Sequence, residues 1–164
     1  MTSTMKKTTT PVSLYRLIYR SREVITQAVP DFDTEDGSER ELRAIVSAAR
    51  GRNKADNITG ALLFTDAGFA QVLEGPREVL ERTFERISAD SRHADVTILS
   101  FTPLPCRSFP DWPLGFCRRP SLGPVVENSP DSGTPLSAPR VRTASDLLRL
   151  LERVVQQEDE WMAV

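Results

Sequence analysis

At 164 residues and 39% hydrophobic content, the chain suits one domain with a substantial core plus an appendage, rather than two full domains. A formal charge of −2, with Lys6 and Lys7 as only a small basic spot, argues against a general nucleic-acid or membrane-surface binder. Cys106 and Cys117 do not make a disulfide framework, and the single histidine, His93, belongs to no cluster with metal-ligand spacing.

Residues 1–11 are polar and Thr-rich, so a disordered leader is expected there. No apolar leader core and no stretch approaching roughly 20 apolar residues is found, so a soluble cytoplasmic protein is expected. From 12 to 19, Tyr15, Leu17 and Tyr19 alternate with Leu14, Ile18 and two arginines, predicting a strand with one strongly apolar face. After an acidic loop over 31–37, Ser38 and Glu41 form a capping-box pattern ahead of Leu42, Ile45, Val46 and Ala49, predicting a helix that stops near Gly51. The runs 61–64 and 69–73 flank Thr65-Asp66-Ala67-Gly68, whose Asp and Gly supply turn chemistry for a hairpin. Gly75 and Pro76 open a second helix, buried along Val79, Leu80, Phe84 and Ile87. Residues 96–101 predict a fourth strand, closed by Pro103 and Pro105, and 112–116 a fifth.

The order β-α-β-β-α-β-β predicts an α+β ferredoxin-like sandwich over 12–117, with an added strand and both helices on one sheet face. Residues 118–142, rich in Pro, Ser and Gly, read as a linker. Thr143 and Asp146 then form a second capping-box pattern before Leu147, Leu148, Leu150, Leu151, Val154 and Val155, predicting a C-terminal helix over 143–160. Its wide apolar stripe needs cover, from the helix-free sheet face or from a second copy of the chain, so a homo-oligomer is expected.

Two polar groups stand where the pattern calls for core. Gln71 shares its parity with Phe69 and Leu73, so in a strand its amide points with two large apolar side chains. A buried amide without partners costs about 1–3 kcal/mol, which requires a backbone partner, a water or a polar ligand inside the fold. Tyr19 likewise ends an apolar run with a hydroxyl. Read alone, Tyr19 is a core or rim tyrosine, Asn53 a turn or cap residue just past a helix, Trp112 a packing residue, and Arg92 with His93 a solvated loop. The sequon Asn57-Ile58-Thr59 is accidental without a secretion signal. With no G-x-G-x-x-G, no Walker loop and no nucleophile-base constellation, an enzyme is not expected.

Taken in order, Leu17-Ile18-Tyr19-Arg20-Ser21, Asn53 with Asn57-Ile58-Thr59-Gly60, Gly68 to Gly75, Asp90-Ser91-Arg92-His93, and Arg107-Ser108-Phe109 with Trp112 closely resemble BLUF domains, the flavin-binding blue-light sensors. The resemblance spans roughly Leu14 to Phe116. It implies a non-covalent FAD whose isoalloxazine ring lies between the two helices over the sheet. Tyr19 would be the electron-donating tyrosine, and Gln71 the glutamine joining it to flavin N5 and O4. Asn53 would meet the O4 and N3 edge, Arg92 the other carbonyl edge or the tail, and Ile58, Leu62 and Phe69 the ring faces. Trp112 and Leu114 would transmit the signal to an unknown downstream protein. Leu114 stands where the family often has Met, Ala49 where many have Ser, and Arg52 where some have a second Asn or a His. The alternative reading is a ferredoxin-like protein-interaction domain that no longer binds flavin.

Overall fold

The computed structural model describes residues 13–24, 35–65, 68–118 and 143–157. The expected leader, the first part of the acidic loop, nearly all of the linker, and Asp66 with Ala67 of the hairpin turn lie outside these residues. Within them run β1 (Leu14–Glu23), α1 (Glu35–Ala55), β2 (Thr59–Thr65), β3 (Gly68–Pro76), α2 (Arg77–Ser88), β4 (His93–Pro103), β5 (Gly115–Arg118) and α3 (Ala144–Gln157). This is the expected ferredoxin-like order followed by a helix. The strands form one sheet, β4-β1-β3-β2-β5, antiparallel throughout except where β5 runs parallel to β2.

Side-chain alternation divides the core between the two sheet faces. On one face, Leu42 and Val46 of α1 cover Leu62, Phe64 and Phe69, and Leu80 of α2 covers Leu17, Tyr19 and Leu73. On the other, Ile18, Ala61, Leu63, Val72 and Cys117 are covered by Leu147, Leu150, Leu151 and Val154 of α3. The stripe that demanded cover therefore finds it on the sheet of its own chain, with Leu151 fully buried, and its burial requires no second copy. The Thr143–Asp146 capping box forms in both directions. Asp146 N–H donates to Thr143 Oγ1 and Thr143 N–H to Asp146 Oδ2, each at 3.1 Å.

Several element boundaries differ from the sequence reading, and three of them concern α1 and β5. First, α1 begins at Glu35, so Ser38 lies inside the helix and is not its cap. Second, α1 continues through Gly51 to Ala55. Gly51 faces open space, and a helical glycine costs only about 1 kcal/mol, too little to end a helix whose stripe is packed. What ends it is Asn57, in the left-handed conformation at φ 54°. Ile58 N–H reaches back to the Asn53 carbonyl at 2.8 Å and Asn57 N–H to that of Lys54 at 3.4 Å, the bonding of a Schellman motif.

Third, β5 starts at Gly115 rather than at position 112. Pro113 has no N–H to pair, and the carbonyls of 112–114 are taken by other elements. Gly60 N–H donates to Trp112 O at 2.9 Å, Asn53 Nδ2 to Pro113 O at 2.7 Å, and Arg50 Nε to Leu114 O at 2.8 Å. Among the described residues, no helix is long and apolar enough to cross a membrane.

Candidate functional site

The β1/β3 register places Tyr19 directly opposite Gln71. Both point to the face bearing α1 and α2, and the Tyr19 hydroxyl donates to Gln71 Oε1. The buried amide thus has an internal partner for its oxygen, which leaves Nε2 as the end available to a molecule in the adjoining cleft. Burial pushes the Tyr19 phenol well above its ordinary pKa, and the Asp90 carboxylate raises it further. The hydroxyl therefore keeps its proton at physiological pH.

A cleft of about 560 Å³, its open mouth included, lies between the helices above this pair. Ile45 and Ala49 of α1, Leu62, Phe69, Ile87 of α2 and Leu114 supply apolar wall. Asn53, brought inward by the last turn of α1, is buried at the same cleft. Its Nδ2 is committed to Pro113 O, so its Oδ1 is the acceptor that can face a ligand. Arg52 and Arg86 also line the cleft.

Arg92 is fixed by Asp90. Its Nε and Nη2 donate to the two carboxylate oxygens at 2.9 and 2.6 Å, its backbone N–H donates at 3.0 Å, and Glu41 lies 3.6 Å from Nη1. The Arg92 guanidinium hydrogen bond is the main cause holding the Asp90 carboxyl at about 2. His93 Nδ1 bonds Ser21 Oγ at 2.7 Å, and its ring lies 4.6 Å from that of Phe69. Burial pushes this imidazole below its ordinary pKa.

Of the residues singled out by sequence, Tyr19, Asn53, Leu62, Phe69, Gln71, Arg92 and Leu114 line this one cleft. Ile58 does not; it is buried in the apolar cluster of Tyr19 and Leu80. Trp112 packs on the opposite sheet face, against the α3 cluster. Sequence reading gave no role to Asp90, whose only signal was a carboxylate two residues before an arginine, or to Glu74. The Glu74 side chain is wholly buried. It accepts from Arg16 Nε at 2.8 Å and from the backbone N–H groups of Ser108 and Phe109 at 2.9 and 3.1 Å. Arg107 adds bonds to Thr59 Oγ1 and Glu74 O at 2.8 and 2.6 Å. The Arg107-Ser108-Phe109 string is thus a strap tying the approach to β5 onto β3.

A planar heteroaromatic molecule with one hydrogen-bonding edge fits this donor set. The walls are apolar, Gln71 Nε2 and Asn53 Oδ1 present a donor and an acceptor, and guanidinium groups offer positive charge to carbonyl oxygens or a phosphorylated tail.

The family model described as "BLUF: Sensors of blue-light using FAD" matches residues 14–115. The chain is 40% identical over 82 residues to the photoactivated adenylate cyclase subunit beta of Euglena gracilis, covering 49% of this chain and 10% of that protein. It is 35% identical over 75 residues to the blue light- and temperature-regulated antirepressor BluF of Escherichia coli (strain K12), covering 46% and 19%. It thus spans a tenth to a fifth of the length of these curated relatives. Among solved structures, BlrB, a BLUF protein in its dark state, superposes with a TM-score of 0.56 at 34% identity, covering 65% of this chain and 74% of that one. The photo-activated state of BlsA superposes at 0.65 and 27% identity, covering 87% and 94%.

Proposed function

The chain belongs to the BLUF family, and from that premise we propose that it is a blue-light photoreceptor in which Tyr19 and Gln71 are the photochemical pair and FAD is the flavin held. The observation that carries this reading is the buried hydrogen bond from the Tyr19 hydroxyl to Gln71 Oε1, at the wall of a cleft whose other polar groups suit a flavin's carbonyl and imide edge.

When bound and illuminated, a flavin supplies an electron acceptor. Tyr19 is placed to give up an electron together with its hydroxyl proton, which moves along the existing bond to Gln71 Oε1. Return of both restores the phenol, so there is no net chemistry. The amide, with one donor and one acceptor end, can settle with those ends exchanged by rotation or tautomerisation. Asn53 Oδ1 would meet the imide edge of a bound flavin, Arg92 its other carbonyl edge or its tail, and Leu62 and Phe69 its ring faces. The result is a local change in hydrogen bonding that biases elements beyond the cleft.

The signal then leaves through Trp112 and Leu114 toward a protein partner, and the chain is a sensor and not a catalyst. The match to the photoactivated cyclase subunit beta covers 82 residues of this chain and 10% of that protein. Neither Cys106 nor Cys117 is in a disulfide among the described residues, which suits a reducing, cytoplasmic compartment. Self-association of the chain remains part of the reading as a means of output, through sheet surface that α3 does not occupy. The deciding experiment is an absorption spectrum before and after blue light. A yellow protein whose main visible band moves reversibly to the red is expected. A folded chain that cannot be loaded with FAD, FMN or riboflavin would reject the reading in favour of an interaction domain.

A further inference from the structure

We infer that Arg50 is a positioning residue that, together with Asn53, clamps the segment 112–114 to α1 and so relays a change in the cleft to α3. The inference rests on the photoreceptor reading above. Arg50 and Asn53 are three residues apart and therefore lie on one face of α1. They donate to successive carbonyls, Leu114 O at 2.8 Å and Pro113 O at 2.7 Å. The preceding carbonyl, Trp112 O, is held from the other side by Gly60 N–H of β2 at 2.9 Å. Three consecutive carbonyls are thus divided between a helix and the sheet.

On the cleft side the segment's other hold is apolar, through Leu114 in the cluster of Leu62, Phe64 and Phe69. Pro113 offers no N–H, and Leu114, though buried at the cleft, has no side-chain donor or acceptor. A bond from Gln71 to a side chain at position 114 is therefore not available in this chain. The α1 donors remain. Asn53 is shared, since its Oδ1 can face the ligand while its Nδ2 holds Pro113, so a change in ligand-edge hydrogen bonding alters its hold on the segment. Arg50, one turn back and outside the cleft lining, fixes the neighbouring carbonyl. One residue before the clamp, Trp112 packs against the buried cluster to which Leu147, Leu150, Leu151 and Val154 of α3 belong. A shift of 113–114 relative to β2 therefore turns Trp112 against α3.

Backbone hydrogen exchange of the α3 residues 147–154, measured on the full flavin-loaded chain in darkness and under blue light, tests the clamp. The unmodified chain should show a light–dark difference there. Arg50→Gln should keep the flavin spectrum and its red shift, because Arg50 does not touch the cleft, while reducing that difference about fivefold, the population change expected from one lost hydrogen bond. Arg50→Lys, which keeps a cation and one donor, should recover part of it. A purely structural role would speed exchange equally in dark and light and preserve the difference. That result, an undiminished difference in both variants, or no light response of α3 in the unmodified chain would overturn the clamp. Absence of the red shift in the unmodified chain is a separate result that removes the photoreceptor reading and the clamp with it.

Discussion

Tyr19 and Gln71 are direct cross-strand partners on neighbouring antiparallel strands, and the phenol donates its hydrogen bond to the amide oxygen inside the protein. The pair is set by sheet register. Because the side-chain period is two, a one-residue slip of either strand would send its own group to the α3 face, so the backbone ladder fixes the geometry of the pair.

Tyr19→Phe should retain flavin and lose the light-induced red shift, since the ring shape stays and the oxidisable hydroxyl goes. Leaving Gln71 Oε1 without its donor should cost about 1–3 kcal/mol of stability. Difference absorption spectra and urea unfolding measure the two effects, and a normal red shift in this variant would refute the assigned pair.

Leu114→Met places a thioether at a buried position of the cleft that Gln71 also lines. The volumes are similar, so stability should change by less than about 1.5 kcal/mol, while a weak acceptor enters the switch. The rate of dark recovery should change with flavin retained. Recovery identical to the unmodified chain would place the 114 side chain outside the switch.

Glu74→Ala should be among the most destabilising single changes in the chain. The substitution leaves Arg16 and two backbone N–H groups without their buried acceptor. The loss should be about 3–5 kcal/mol, read as a lower urea midpoint. A loss under about 1 kcal/mol would show that the strap relaxes onto water.

Leu151→Glu brings a carboxylate to a fully buried position on the face opposite the cleft. The cost should be several kcal/mol, through unpaired charge burial and lost packing, and it should release α3. The flavin spectrum should survive, because Tyr19 and Gln71 lie across the sheet. Protease sensitivity confined to the C-terminal segment is the expected readout, and loss of flavin would contradict the division of the core between faces.

Asp90→Asn tests the acid limb. The carboxyl is held at about 2, chiefly by the Arg92 guanidinium hydrogen bond. A depressed folded-state value stabilises the fold above the unfolded pKa of roughly 4 and loses that contribution as pH falls from there through about 2. The unmodified chain should thus lose stability over this window more steeply than the variant. Parallel melting curves from pH 2 to 7 would show it, and superimposable acid limbs would mean that the pair contributes nothing measurable.

The sequence by itself determined the element order, the alternation of β1, the shared parity of Phe69, Gln71 and Leu73, and the amphipathic α3 with its Thr143–Asp146 cap. These depend on side-chain periodicity and on hydrogen bonds spanning three or four residues, which are written locally. The ordered motifs also named Tyr19, Gln71, Asn53 and Arg92, which line one cleft. Tertiary structure alone decided where α1 ends and where β5 begins, because packing outweighs the small cost of Gly51 and carbonyls 113 and 114 are claimed by side chains 60 and 64 residues away. It also decided that Trp112 and Leu114, two residues apart, serve opposite faces of the sheet, that Glu74 is a buried acceptor, and that α3 is covered by its own sheet. Each of these depends on which distant groups meet when the sheet closes. A local pattern carries the demand for a partner but not the partner's identity.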